Sequence, residues 1–110
     1  MSNRFLRKLS SGIGTTATQV GAYTVAVNTQ VTIIGLTVAN TTSSFITVDV
    51  SIKSGSTYYY IIKNAPVANG GSLILVGGDQ KIVLEPADSI YVKSSVASSA
   101  DCVMSILEIY

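Results

Sequence analysis

The sequence predicts an all-β chain, an antiparallel β-sandwich of about eight strands, jelly-roll or immunoglobulin-like, preceded by an extended N-terminal arm. Three observations carry this. Short apolar runs rich in Val, Ile and Thr recur along the chain, fenced by Gly, Pro, Asn, Asp and Ser. The fences come roughly every 8–12 residues, the spacing of sandwiches and barrels. After the arm, no segment shows a 3.6-residue apolar period, and several alternate with period two.

Residues 1–14, MSNRFLRKLSSGIG, differ in character from the remainder of the chain. NRFLRKLS offers one or two helical turns, too few for a stable isolated helix in water, and SSGIGTT reads as flexible. The segment is expected to be an arm, disordered or ordered by a partner, with the sandwich in residues 15–110. QVGAYTVA is a first short strand with a bulge at Gly21. TQVTIIGLTVAN is the second, with Ile34, Leu36 and Val38 on one face and Val31, Ile33 and Gly35 on the other. NTTSS turns the chain. FITVDVSIKS alternates cleanly: Ile46, Val48, Val50 and Ile52 point inward, while Thr47, Asp49, Ser51 and Lys53 point outward.

SGST then leads into YYYIIKNAPV, which Pro66 is expected to end. SLILV, KIVLE and IYVKS come next, separated by GGDQ and EPADS. In IYVKS, Ile90 and Val92 face inward and Tyr91 and Lys93 outward. The closing DCVMSILEIY is apolar on both faces, with Cys102, Met104 and Ile106 on one and Val103, Leu107 and Ile109 on the other. In a two-layer sandwich one face of each sheet is outside, so a second apolar face points to a subunit contact.

The chain has 110 residues, 47% apolar and only 12% charged, against about 25% charged in an average protein. So few charges on a one-domain surface suggest that part of it is covered. The net charge is +1 but is divided. Arg4, Arg7 and Lys8 lie in the arm, and the remainder has four lysines against six acids. The body shows no basic excess of the kind specific nucleic-acid binding uses. Cys102 is the single cysteine, so no intramolecular disulfide forms. With no apolar stretch for a signal peptide or a membrane-spanning helix, the expected setting is a reducing cytoplasm, away from membranes.

Candidate chemistry is sparse. There is no histidine, so Ser-His-Asp and Cys-His constellations cannot be built. Asp79, Asp88 and Asp101 sit at turns or strand entries, where Asp accepts backbone N–H groups, and Glu85 stands before Pro86 at a strand end. No zinc, calcium or phosphate-cradling pattern is present, so no cofactor and no enzymatic activity are expected. The NTT at residues 40–42 matches a glycosylation acceptor. YYY at residues 58–60 is the one aromatic cluster; Tyr58 and Tyr60 share a face. Exposed together, they form a platform for protein or sugar. The candidate contact residues are therefore Arg4, Phe5, Leu6, Arg7, Lys8 and Leu9 of the arm, with Tyr58 and Tyr60.

The order of segments carries a resemblance. FLRKLSSGIGT precedes YTVAVNTQVTIIGLTVANTTSSFITVDVSI, then YYYIIKNAPVANGGSLILVGGDQKIVLEPADSIYVKSS, and SILEIY closes the chain. This order resembles small virion structural proteins of tailed bacteriophages, including cyanophages, over nearly the whole length. The resemblance implies a β-sandwich accessory protein of the virion, assembled in the bacterial host cytoplasm. It would decorate or cement the capsid through protein–protein contacts, or act as a neck, tail or fibre adaptor. The implied partners are major capsid or neck/tail subunits and further copies of the chain, a trimer first. A carbohydrate-binding module using Tyr58 and Tyr60 is the competing expectation. No catalytic residue is carried over.

Overall fold

The computed structural model describes residues 2–77 and 81–110. Among them are nine strands: β1 (Asn3–Ile13), β2 (Thr18–Gln19), β3 (Gln30–Asn40), β4 (Ile46–Ser54), β5 (Thr57–Val67), β6 (Ser72–Val76), β7 (Ile82–Leu84), β8 (Ser89–Ser94) and β9 (Ala100–Ile109). They form two antiparallel sheets, one ordered β1-β9-β3-β6 with β7 also on β3, the other β2-β8-β4-β5. β7 pairs with Val31–Ile33 and β6 with Leu36–Ala39, so these two short strands share one lane beside β3. The sandwich therefore has eight lanes, as the turn spacing predicts. Their pairings nest: β4 with β5, β3 with β6 and β7, β2 with β8, β1 with β9. That nesting is the jelly roll, the first of the two connections expected.

Alternation explains most of the core. Ile46, Val48 and Val50 of β4 and Ile90 and Val92 of β8 point inward, against Cys102, Met104 and Ile106 of β9. Burial pushes the Cys102 thiol up to about 12, so it stays a neutral apolar filler. β3 departs from strict alternation. Val31, Ile33, Leu36 and Val38 are all buried, although the period-two pattern puts them on opposite faces. Between Ile33 and Gly35 the register with β9 shifts by one residue. Ile34 is the extra residue of a β-bulge, and the bulge turns both halves of β3 toward the core.

Two further local expectations change. QVGAYTVA shrinks to the two-residue β2, followed by a 3-10 turn at Val20–Ala22. Gly21 there has φ +60°, and a Cβ on it would lie 2.7 Å from the Lys8 Cβ. Gln19 Nε2 donates to the Tyr23 carbonyl and to Thr24 Oγ1, closing the turn. Pro66 does not end its strand: β5 continues to Val67, with Pro66 opposite Thr47. β5 is an outermost strand, where a missing N–H costs no ladder bond. Asn40 of the NTT match is buried, and its side-chain amide donates to the Ser44 and Val67 carbonyls. It holds a turn, and its nitrogen faces inward.

Residues 3–13, expected to be an arm, form edge strand β1, paired with β9 from Asn3↔Ile109 to Ser10↔Cys102. The physical reason lies in the same residues. Phe5, Arg7 and Leu9 alternate with Leu6, Lys8 and Ser10, a strand period, and the free edge of β9 supplies the ladder. The register slips between Ser10 and Ile13, where Gly12 takes φ +61°. Asp88 Oδ2 accepts the Glu85 N–H, as its turn position predicts. In the GGDQ turn, residues 78–80 lie outside the described residues.

Candidate functional site

β1 divides the arm residues between two surroundings. Arg4, Leu6 and Lys8 turn toward the interior rim. Phe5, Arg7 and Leu9 turn to the solvent face of their sheet, where all three are exposed. On the inner side, Arg4 Nε donates to Glu108 Oε1 at 2.8 Å, and the Tyr23 hydroxyl donates to the other carboxylate oxygen. Lys8 Nζ lies 4.9 Å from the Tyr23 ring centroid, and the Arg4 guanidinium 5.0 Å from that of Tyr110. Glu108 occupies an inward position of β9 and is 5% exposed. Its Tyr23 hydrogen bond, aided by Arg4, holds the carboxyl below the ordinary value, against the opposing effect of burial. Burial and that same carboxylate push the Tyr23 hydroxyl up. Two of the three arm cations thus act on this cluster.

Tyr58 and Tyr60 lie on the outer face of the other sheet. Ser51 of β4 stands opposite both Tyr60 and Tyr91, so Tyr91, Ser51 and Tyr60 form one cross-strand row. The small serine between two rings leaves a hollow of about 250 Å³, lined also by Thr15, Asp49, Tyr58 and Lys93. Tyr58 and Tyr91 meet edge to face at 5.4 Å, and Lys53 Nζ sits 5.4 Å from each ring centroid. Lys63 Nζ lies 4.3 Å from the Tyr60 centroid and 3.9 Å from Asp49 Oδ2. Asp49 Oδ1 also accepts the Asn64 N–H. The volume sits just under the range of about 300–1,000 Å³ usual for ligand pockets. Its chemistry is aromatic faces with a few polar groups, suited to stacking and hydrogen bonding.

The eight contact residues expected from sequence therefore do not form one site. The arm residues border the five-stranded sheet, and the tyrosines lie on the opposite side of the sandwich. Two participants were missed. Tyr91 joins the tyrosines only through the pairing of β8 with β4. Glu108 had a visible signal, an acid at the inward step after Cys102, Met104 and Ile106. Among the described residues no group of three or more His, Cys, Asp or Glu is placed to hold a metal ion, and no helix is long and apolar enough to cross a membrane.

No family model matches the chain, and no curated protein matches its sequence. Solved structures match it in shape. A protein of Bacillus endospore appendages, described as a novel family of disulfide-linked pili, superposes with TM-score 0.57 at 13% identity, covering 97% of this chain and 85% of its own. The nucleoplasmin-like N-terminal domain of Drosophila FKBP39 gives 0.50 at 11% identity, covering 98% of this chain and 91% of its own. The infectious bursal disease virus T13 particle protein reaches 0.44 at 11% identity, with 35% of its own chain covered, a score too low to bear on architecture. What this chain shares with the first two is the β-sandwich fold.

Proposed function

We propose that the chain is a non-enzymatic structural component of a bacteriophage virion that decorates or cements the capsid through protein–protein contacts. The observation that carries this is the placement of exposed apolar side chains. Phe5 and Leu9 of β1 and Val103 of β9 stand on the same outer sheet face. The segment order resembling small tailed-phage virion proteins supports the particle, and the pilus protein offers a precedent for a sandwich of this shape in an assembly. A neck, tail or fibre adaptor uses the same contacts at another place in the particle. The expected location is the virion, after assembly in the host cytoplasm.

Mass spectrometry of purified particles from a host carrying the gene is the test. The chain is expected at fixed stoichiometry, and Phe5→Asp with Leu9→Asp is expected to cut occupancy at least tenfold. Particles without the chain, or with the double variant at full occupancy, would refute the proposal.

A second reading has its own observation. Tyr58, Tyr60 and Tyr91 converge over Ser51 beside Asp49, an arrangement able to stack and hydrogen-bond one sugar ring. It predicts millimolar to micromolar saccharide affinity, removed by Tyr58→Ala with Tyr60→Ala. A flat glycan array and an unmoved titration would eliminate it.

A further inference from the structure

We infer that the outer face of the five-stranded sheet is a self-interface, at which a second copy of this chain packs sheet to sheet about a two-fold axis. The inference deepens the assembly reading above, since it names the occupant of the apolar face.

The register builds the face. Phe5 of β1 stands beside Leu107 of β9, which is beside Thr32 of β3, which is beside Val83 of β7. One step along the strands, Arg7, Ser105 and Gly35 align. One step further, Leu9, Val103, Thr37 and Ile74 align. Two apolar ridges thus cross the sheet, with the small Ser105 and Gly35 between them on the central strands. Exposure is large on both ridges: Phe5 73%, Val83 63%, Leu9 50%, Val103 49% and Ile74 69%. These five are spread over four strands and both halves of the sequence, so no local run accounts for them.

The dimensions suit a dimer. Four lanes about 4.8 Å apart and roughly ten residues of about 3.3 Å each give a face on the order of 600 Å². Two such faces bury about 1,200 Å², the lower end of the range for specific interfaces. The distribution of charge also suits one. The central strands β9 and β3 put Val103, Ser105, Leu107, Thr32, Gly35 and Thr37 at the middle of this face, none of them charged, and Asp101, the next outward step of β9, lies at its end, where it accepts the Gly12 N–H. Arg7 lies on the outermost strand, where a long side chain reaches the rim. An uncharged centre inside a polar rim is the anatomy of an interface.

The rest of the surface identifies the occupant. The other outer sheet face carries Asp49, Lys53, Lys63 and Lys93. Docking the apolar face there, head to tail, would bury those charges against Val103 and Leu107. Docking it on its own copy matches the ridges and the small residues between them with like and leaves the two charges of the face, Arg7 and Asp101, at its margins. A patch that meets itself is isologous, and its closed product is a dimer. The trimer expected from sequence requires a heterologous contact instead.

Sedimentation velocity and light scattering of the intact chain test this. The wild type is expected to dimerise with a dissociation constant on the order of 1–100 µM, given the area. Val103→Lys, at the centre, is expected to raise that constant roughly thirtyfold or more. Ser56→Lys, in the exposed β4–β5 turn, is expected to leave it unchanged. Ile74→Lys serves as a second face variant should Val103→Lys fail to melt cooperatively. A wild type still monomeric at ~200 µM, above the range this area implies, would overturn the inference. So would a trimer, or any oligomer that both face variants leave intact. Particle occupancy separates the two proposals: a monomer that enters particles keeps the structural role and loses the self-interface.

Discussion

Deleting residues 2–11 is expected to destabilise the domain by about 3–5 kcal/mol, a large part of the roughly 5–15 kcal/mol that holds a domain of this size. The ladder itself contributes little net. Each strand hydrogen bond is worth about 1 kcal/mol, and fixing each residue's backbone costs about 1–2 kcal/mol. The loss comes from what β1 covers. Leu6 packs against the core from the rim. Glu108, an inward carboxylate, loses Arg4 and keeps only the Tyr23 hydroxyl. An under-satisfied buried polar group costs about 1–3 kcal/mol, more when charged.

The deletion also bares the edge of β9, a strand apolar on both faces, and an exposed flat apolar edge is an aggregation site. The truncated chain is therefore expected to melt at least about 10 °C lower and to elute from size exclusion as broad, large species. A separable arm predicts the opposite, a folded remainder with unchanged melting. Equal melting temperatures and a sharp peak would restore the arm and detach β1 from the fold.

The sandwich was legible because its strands are written in period two with turn residues between them. Ile46, Val48, Val50, Ile90 and Val92 could all be assigned to the interior one strand at a time, whereas the two apolar faces of β9 left open that Cys102, Met104 and Ile106 are the buried set. Where a strand carries an extra residue, the pattern misleads: Ile34 hides a bulge, and β3 looks two-faced because of it. β1 was unreadable for a different reason. Its apolar content is low, and its partner β9 lies at the other end of the chain, so only the closed topology shows that Asn3 meets Ile109. Long-range pairing also hid the candidate surfaces. Tyr91 reaches Tyr60 through Ser51, and the ridge from Phe5 to Val83 crosses four strands. The apolar second face of β9 was visible in sequence, but not the neighbouring strands that extend it.

Glu108→Gln is expected to lower stability at pH 7 by about 1–2 kcal/mol, the difference between charge-assisted and neutral hydrogen bonds to Tyr23 and Arg4. Its diagnostic is pH dependence. The folded-state carboxyl lies below its ordinary value of 4.5, so the native state binds this proton less readily than the unfolded chain. The carboxylate's contribution is complete above that ordinary value and is lost as pH falls through the folded one. Wild type and Glu108→Gln should therefore converge as pH drops below about 4.5, the gap closing from the wild-type side. Tyr23 works in the other direction. Its folded-state proton is held more tightly than in the unfolded chain, where the hydroxyl titrates at 10.0. The contribution of Tyr23 is thus complete below 10.0, and Tyr23→Phe should approach wild type as pH rises beyond it. Lys8 and Arg4 are the cations facing the cluster; Glu108 holds the Arg4 proton still more tightly than usual, so Arg4 does not produce the convergence. Urea midpoints of the three proteins from pH 3 to 11 measure all of this. Parallel profiles for wild type and Glu108→Gln would show that the carboxylate at the end of β9 does not bind β1 to the sandwich through its charge.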